Sequence, residues 1–225
     1  NSVAATRIVS TLAARNFLLP VGAALTLPSP ATQALILADG RSALILCEDS
    51  RVRVIDLAEW KVAREFSFDQ KIQPQGVRIA AKNPAVFAVA LADGTVQVCD
   101  TATGRQRGKT ITPPHLVEAY QTTQFQLGTW RTLFALSPDG RWLMTFRATV
   151  AVFDASTGEE RFHGEHFNAS MPPDFATYNP FSSDSSRLAI PYWEFAGARG
   201  SGGDSKRVKS SSILLSVPDG KVLVA

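Results

Sequence analysis

The chain has 225 residues, of which 45% are hydrophobic and 19% are charged, a composition typical of globular proteins and not of disordered ones. Its 23 basic and 20 acidic residues leave a formal charge of +3, too small an excess to favour nucleic acid as the main partner. No stretch of the sequence has the apolar length needed to cross a bilayer, so no membrane partner is expected.

The first 30 residues lack the pattern of the rest of the chain. They contain an apolar run, Phe17-Leu-Leu-Pro-Val-Gly-Ala-Ala-Leu25, which Pro20 and Gly22 interrupt. This interruption argues against a secretory signal. We expect residues 1–30 to pack on the sheet that follows or to add a strand to it. Because the chain opens with Asn1 and not with methionine, a processed chain, a fragment or an engineered one is expected.

From residue 31 onward the sequence repeats a unit in which an alternating apolar strand leads into an aspartate and a tight turn. The clear copies are Arg51-Val-Arg-Val-Ile-Asp56, Thr95-Val-Gln-Val-Cys-Asp100 and Thr149-Val-Ala-Val-Phe-Asp154, and a weaker copy has Ser216 in place of the aspartate. Each unit is a small sheet that cannot bury its faces alone, so the repetition predicts stacked sheets. The sequence therefore predicts an all-β chain, a β-propeller of four-stranded antiparallel blades at about 31–69, 75–112, 130–168 and 175–225.

Four strands are predicted in each unit, and turn residues mark where the strands meet. Asp39-Gly40 and Asp93-Gly94 are hairpin signals, and Ser137-Pro-Asp-Gly140 is a β-turn signal. The predicted strands are 33–38, 42–47, 51–57 and 61–68 in the first unit, 76–81, 86–91, 95–100 and 105–111 in the second, 132–136, 142–146, 149–154 and 159–167 in the third, and 176–181, 187–193, 212–217 and 221–225 in the fourth.

The inner strands of these units contain the candidate core and both cysteines. Val98, Val152 and Leu214 are predicted to be buried. Cys47 and Cys99 lie within strand patterns, where cysteine usually acts as a small buried hydrophobe, so we expect free thiols. Such usage fits a reducing compartment, which favours a cytoplasmic protein.

Two insertions, at 112–129 and at 196–211, interrupt the spacing of the units, and loops of this length are commonly functional or disordered. The second insertion is rich in glycine, serine and basic residues and follows a group of aromatic residues. Aromatic side chains beside an adaptable loop are typical interface anchors. We therefore predict a mobile hairpin extension that binds a partner, against the alternative of a solvated hairpin tip. The predicted partner-binding residues are Tyr192, Trp193, Phe195, Arg199, Lys206, Arg207 and Lys209.

Other motifs that suggest chemistry are incomplete. In His163-Gly-Glu-His166 the two histidines are three positions apart and face opposite sides of a strand, and no third zinc ligand stands at a recognisable spacing. No Gly-x-Ser-x-Gly motif is present to supply a hydrolase nucleophile. Asp56, Asp100 and Asp154 recur at one position of the unit, which favours a role in the turn. No catalytic residue, cofactor or metal is predicted.

Two segments, Thr95-Val-Gln-Val-Cys-Asp-Thr-Ala-Thr-Gly104 and Phe134-Ala-Leu-Ser-Pro-Asp-Gly-Arg-Trp-Leu143, resemble blades of WD-repeat and WD-repeat-like propellers, and the resemblance extends over about 32–225. The tryptophan that names the family is replaced by Ile55, Cys99 and Phe153, and no Gly-His pair opens a unit. The resemblance thus implies blades that rely on apolar packing, in a style typical of bacterial proteins. Because such propellers usually have more than four blades, it also implies that this chain is part of a larger propeller or assembly.

The predicted function is non-catalytic. We expect an interaction or scaffolding propeller, either a domain of a multidomain signalling or regulatory protein or a subunit of an assembly. Its partners would be other proteins or further domains of the same protein. The alternative is a propeller-class enzyme or gating domain, such as a quinoprotein dehydrogenase or the propeller of a serine peptidase.

Overall fold

The computed structural model describes residues 25–114, 133–146, 150–164, 179–196 and 206–224, and within these ranges the chain forms strands and turns without a helix. The strands make four antiparallel sheets that follow one another along the chain, and neighbouring strands in each sheet are consecutive in sequence. An all-β fold is thus confirmed. The strands are β1 Ala31–Ile36, β2 Ser42–Cys47, β3 Val52–Asp56 and β4 Lys61–Phe66 in the first sheet, β5 Ile72–Ala80, β6 Asn83–Leu91, β7 Val96–Asp100 and β8 Gln106–Ile111 in the second, β9 Leu133–Leu136, β10 Trp142–Phe146, β11 Val150–Asp154 and β12 Glu160–Gly164 in the third, and β13 Arg187–Ala196, β14 Lys206–Ser216 and β15 Val222–Val224 in the fourth.

The fourth sheet differs from the predicted unit in two ways. It has three strands, and Phe181 makes only an isolated bridge to Leu188 where the fourth strand was predicted, although residues 176–178 lie outside the described part. In addition, β13 continues to Ala196 and β14 begins at Lys206, so the predicted ends at 193 and 212 are wrong. The backbone pairing of β13 with β14 therefore continues into the segment predicted as an insertion.

The residues at the start of the described chain contact the first sheet. The Asp49 backbone N–H donates to Ser29 Oγ at 3.1 Å, and the Glu48 N–H donates to the Pro30 carbonyl at 2.9 Å. These bonds fasten the chain before β1 to the turn between β2 and β3. Residues 1–24 of the predicted N-terminal segment lie outside the described part, as do 115–132, which include most of the first insertion.

The core consists of three apolar clusters, each shared by two consecutive sheets. The first joins Leu44, Val52, Phe66, Phe87 and Leu91, the second joins Val86, Val98, Phe134, Leu143 and Phe153, and the third joins Trp142, Met144, Val152, Leu188 and Leu215, with further members in each. Side chains alternate between the two faces of a strand, and both faces of the second and third sheets are covered. This arrangement explains why β6 has an almost continuously apolar sequence.

The aspartate that ends each repeat shapes the turn after the third strand, as predicted. Asp56 Oδ1 accepts the N–H groups of Ala58 and Glu59, both at 2.9 Å. Asp100 Oδ1 accepts those of Ala102 at 3.0 Å and Thr103 at 2.9 Å. The same bonds form at Asp154, from Ser156 at 2.9 Å and Thr157 at 3.3 Å. The repeated carboxylates therefore replace backbone acceptors in a tight turn.

These turns should make the fold sensitive to acid. Partial burial opposes ionisation of Asp100, but hydrogen bonds from Thr103 and Ala102 outweigh it and hold the pKa below 3.8. A carboxyl whose pKa is lowered by folding stabilises the folded state above its unfolded pKa, and that contribution disappears as pH falls through the folded pKa. We expect the urea midpoint to decrease as the pH falls below about 4, and to decrease less in Asp100→Asn, whose amide oxygen still accepts the turn N–H groups. Equal decreases in the two proteins would contradict this.

The turns that end in Gly104 and Gly220 also contact the outer strand of the preceding sheet, and each glycine makes room for that contact. A Cβ on Gly104 would lie 2.2 Å from Phe66 Cδ1, and one on Gly220 would lie 2.1 Å from Phe162 Cδ2. Both glycines have positive φ, +68° and +66°. The matched position in the first sheet is Trp60, with φ +50°. The glycines are thus required by backbone conformation and by packing together.

Two amide side chains link neighbouring sheets: Gln33 of β1 bonds to β5, and Asn179, which precedes β13, bonds to β9. Gln33 Nε2 donates to the Val77 carbonyl at 3.0 Å, and the Val77 N–H donates to Gln33 Oε1 at 3.2 Å. Asn179 Nδ2 donates to the Leu136 carbonyl at 2.9 Å, and Asn179 Oδ1 accepts the Phe181 N–H at 3.1 Å. The inner edges of the sheets therefore lie side by side.

Truncation of predicted core residues should separate buried positions from half-buried ones. Val98 and Val152 are buried as predicted, whereas Leu214 is only half-buried because its neighbour Leu215 faces the third sheet. Val98→Ala and Val152→Ala should each lower the free energy of unfolding by about 1–3 kcal/mol through lost contacts and a cavity. Leu214→Ala should lower the free energy of unfolding, measured by urea titration, by less than Leu215→Ala does. A larger loss at Leu214 would show that its side chain is covered.

Candidate partner-binding arm

The orientation of the sheets determines where the hairpin of β13 and β14 projects. The Lys82 N–H donates to the Pro138 carbonyl at 2.7 Å, and the Asp139 N–H donates to Ser185 Oγ at 3.2 Å. These bonds join the turns before the second strands of successive sheets, so those turns lie at one end of the molecule. Because strand direction alternates, β4, β8, β12 and β13 end, and β14 begins, at the opposite end.

This hairpin is longer than the matching hairpin of the second sheet. Strands β13 and β14 have 10 and 11 residues, whereas β6 and β7 have 9 and 5. Backbone pairing continues from Pro191 opposite Ser212 to Ala196 opposite Lys206. We call this two-stranded part, residues 191–196 and 206–212, the arm.

The arm brings most of the predicted partner-binding residues together. Tyr192, Trp193 and Phe195 lie on β13, and Lys206, Arg207 and Lys209 lie on β14. In the register, Phe195 is opposite Arg207, Ala196 is opposite Lys206 and Glu194 is opposite Lys209, with Val208 as an extra residue at a β-bulge. Arg199 lies outside the described residues. The basic segment and the aromatic segment are therefore neighbours across one ladder.

The histidine motif His163-Gly-Glu-His166 lies only partly within the described residues. His163 is on β12, and its Nδ1 lies 2.5 Å from Glu160 Oε1. Its side chain is 44% exposed, as expected for an outer strand, and His166 is outside the described part. No group of three histidine, cysteine, aspartate or glutamate residues in the part of the chain that the structure describes could hold a metal ion.

A buried ionic cluster in the first sheet was not indicated by the sequence. Arg53 is 1% exposed, and its Nη2 lies 2.6 Å from Asp49 Oδ2. Its Nε lies 2.7 Å from Glu65 Oε2, as an ion pair without the alignment of a hydrogen bond. The hydrogen bond from Arg53 lowers the pKa of Asp49. Both carboxylates hold the guanidinium, so the cluster ties β3 to the turn before it and to β4.

The two cysteines differ in their surroundings, because the Cys47 thiol interacts with the Arg53 guanidinium, whereas burial has the largest effect on Cys99. Cys47 and Cys99 are free and buried. Burial, with a smaller effect of the Asp100 charge, raises the pKa of Cys99 to about 12. A thiol with so high a pKa is not a nucleophile near neutral pH.

Comparison with protein-family models and with curated proteins found no match. Among the described residues, no helix is both long and apolar enough to span a membrane. A partner-binding site is therefore inferred from the geometry of the arm alone.

Proposed function

We propose that the four sheets are blades of a WD-repeat-like β-propeller and that the chain is a non-catalytic, cytoplasmic scaffold for protein–protein interaction. It would act as a domain or a subunit of a larger signalling or regulatory assembly. Three features support the architecture: consecutive sheets share apolar clusters, their first strands are adjacent, and each outer strand contacts the turn of the next sheet. Propellers are built from such repeated sheets around an axis.

The observation that carries the functional proposal is the arm. It collects three aromatic and three basic residues on two paired strands that are longer than the matching strands of the second sheet. Aromatic residues commonly provide most of the binding energy of an interface and set its dissociation rate. Basic residues accelerate encounter with an acidic surface, and salt weakens that effect.

Shortening the arm tests this function. In one variant, residues 194–209 are replaced by Asn-Gly, which joins the paired residues Trp193 and Ser210 by a two-residue hairpin turn. In the matched control, Asn-Gly replaces only residues 197–205, so the pair Ala196 and Lys206 and the whole arm remain. We expect equal thermal stability in both, with partner proteins captured from source-cell extract by the control and lost from the first variant. Equal capture by both would contradict a role for the arm.

The competing class, a propeller enzyme with a bound quinone, predicts a different observation. A quinone cofactor would give the purified protein visible absorption. We expect a colourless protein, and a visible band that co-purifies with the chain would overturn the scaffold proposal.

A further inference from the structure

The chain before β1 is bonded to the turn that joins β2 and β3. We call residues 25–30, which precede β1, the strap. The Asp49 N–H of this turn donates to Ser29 Oγ at 3.1 Å, and the Glu48 N–H donates to the Pro30 carbonyl at 2.9 Å. The docking of the strap on the first sheet therefore depends on the backbone conformation of the turn.

A buried ion pair holds this turn from inside the sheet. Arg53 is 1% exposed, and its Nη1 and Nη2 donate to the two carboxylate oxygens of Asp49 at 3.1 and 2.6 Å. Asp49 Oδ1 also accepts the Arg51 N–H at 3.1 Å. Ser50, between them, has a φ of +60°, which is unfavourable for a residue with a Cβ and needs support from its surroundings. The Asp49 carboxylate thus bonds both to the turn backbone and to the guanidinium.

The charge of Asp49 matters because the guanidinium beside it is buried. Among the described residues, Glu65 of β4 is the other carboxylate in contact with this guanidinium, at 2.7 Å from Nε, and it also bonds to Arg51. The Cys47 thiol of β2 interacts with the guanidinium as well, and the strap has no titratable side chain. Without the Asp49 charge, two arginines would share one carboxylate. Removing one partner of a buried ion pair leaves an uncompensated charge and is strongly destabilising.

We propose that Asp49 is an electrostatic latch: its charged carboxylate keeps the turn closed on Arg53, and loss of that charge releases the turn and the strap together while the second and third sheets stay folded. This inference does not rest on the scaffold function proposed above. Hydrogen bonding from Arg53 lowers the pKa of Asp49, so the latch is closed at neutral pH. A carboxyl whose pKa is lowered by folding loses its stabilising contribution as pH falls through the folded pKa. Acid should therefore release the strap.

Hydrogen exchange of the full chain, read by NMR, measures the latch directly, because the N–H groups of Glu48 and Asp49 make the bonds to the strap. Asp49→Asn retains an oxygen that accepts the turn N–H and removes the charge. At neutral pH it should accelerate exchange of both N–H groups at least about tenfold, without changing exchange in β6.

Asp39→Asn is the matched control for this substitution. Asp39 Oδ1 likewise accepts turn N–H groups, from Arg41 at 2.9 Å and from Ser42 at 3.0 Å, but the Arg41 side chain beside it is exposed. An exposed charge that loses its partner is still solvated by water. Asp39→Asn should therefore change exchange at Glu48 and Asp49 by less than about twofold.

Removing the guanidinium tests whether Asp49 acts through its charge. Arg53→Met keeps a long side chain in the sheet but leaves no charge to neutralise. In that background, Asp49→Asn should change the exchange of residues 48 and 49 by less than about threefold. The same acceleration with and without Arg53 would show that Asp49 acts through the turn alone, and would overturn the latch.

The original protein supplies a test that needs no substitution. Between about pH 7 and about pH 3, after correction for the intrinsic effect of pH on exchange, the protection of Glu48 and Asp49 should decrease while that of β6 persists. Loss of protection at these two residues only together with β6 would overturn the inference. So would equal exchange in Asp49→Asn and Asp39→Asn.

Discussion

Replacing Phe87 by alanine should lower the free energy of unfolding by about 3–5 kcal/mol, the cost typical of a fully buried aromatic residue. Phe87 is 0% exposed in β6 and faces the first sheet. Its ring is stacked on that of Phe66, with centroids 6.0 Å apart and an interplanar angle of 15°. The substitution leaves a cavity between two sheets and removes this aromatic contact.

Urea titration followed by circular dichroism measures the loss. Phe87→Leu is the matched control, because it retains most of the buried volume and should cost clearly less than the alanine variant. An alanine variant within about 1 kcal/mol of the original protein would show that the first and second sheets do not share a packed core.

Gly104→Ala should lower the free energy of unfolding by about 2–4 kcal/mol, for two separate reasons. The φ of +68° is unfavourable for a residue with a Cβ, and the new methyl group would lie 2.2 Å from Phe66 Cδ1. One of the two must move, and the ring is held by its stacking on Phe87. The variant therefore strains the turn and loosens the contact between sheets.

Gly40→Ala separates these two effects. Gly40 has nearly the same φ, +63°, but a Cβ there would meet nothing within 4 Å. Gly40→Ala should lower the free energy of unfolding by only about 1–2 kcal/mol, the cost of the positive φ for a residue with a Cβ. In a Phe66→Ala background the packing part of the Gly104→Ala penalty should disappear, so the two changes should not be additive. Equal costs at Gly40 and Gly104, measured by urea titration, would contradict the close contact with Phe66.

Strand positions and the turn aspartates could be predicted because local patterns determine them. The alternation of apolar residues along the strands predicted that Val98 and Val152 are buried. The recurrence of aspartate at one position of the unit predicted that Asp56, Asp100 and Asp154 lie in turns. Alternation also put Arg53 on the face opposite Val52. It could not show that this second face is buried, since burial depends on what packs against the sheet and on the carboxylates of Asp49 and Glu65 reaching the guanidinium.

The candidate site was predictable in its residues and not in its geometry. Basic and aromatic residues around the second insertion were visible in the sequence, but glycine and serine suggested a loop where β13 and β14 continue as a ladder. The error at Leu214 has a similar origin. Adjacent apolar residues, Ile213, Leu214 and Leu215, give no alternation, so only the packing against the third sheet shows that Leu215 is the inner one.

Because each of the three apolar clusters of the described residues joins two sheets that are neighbours in sequence, each sheet depends on the ones adjacent to it. A gene encoding such a chain can gain or lose a segment of one whole sheet and disturb only the contacts at the new junction. Substitutions within one sheet likewise affect mainly its packing against the neighbouring sheets. The repeats can therefore diverge individually, as the different residues before Asp56, Asp100 and Asp154 illustrate, while the pattern of packing persists.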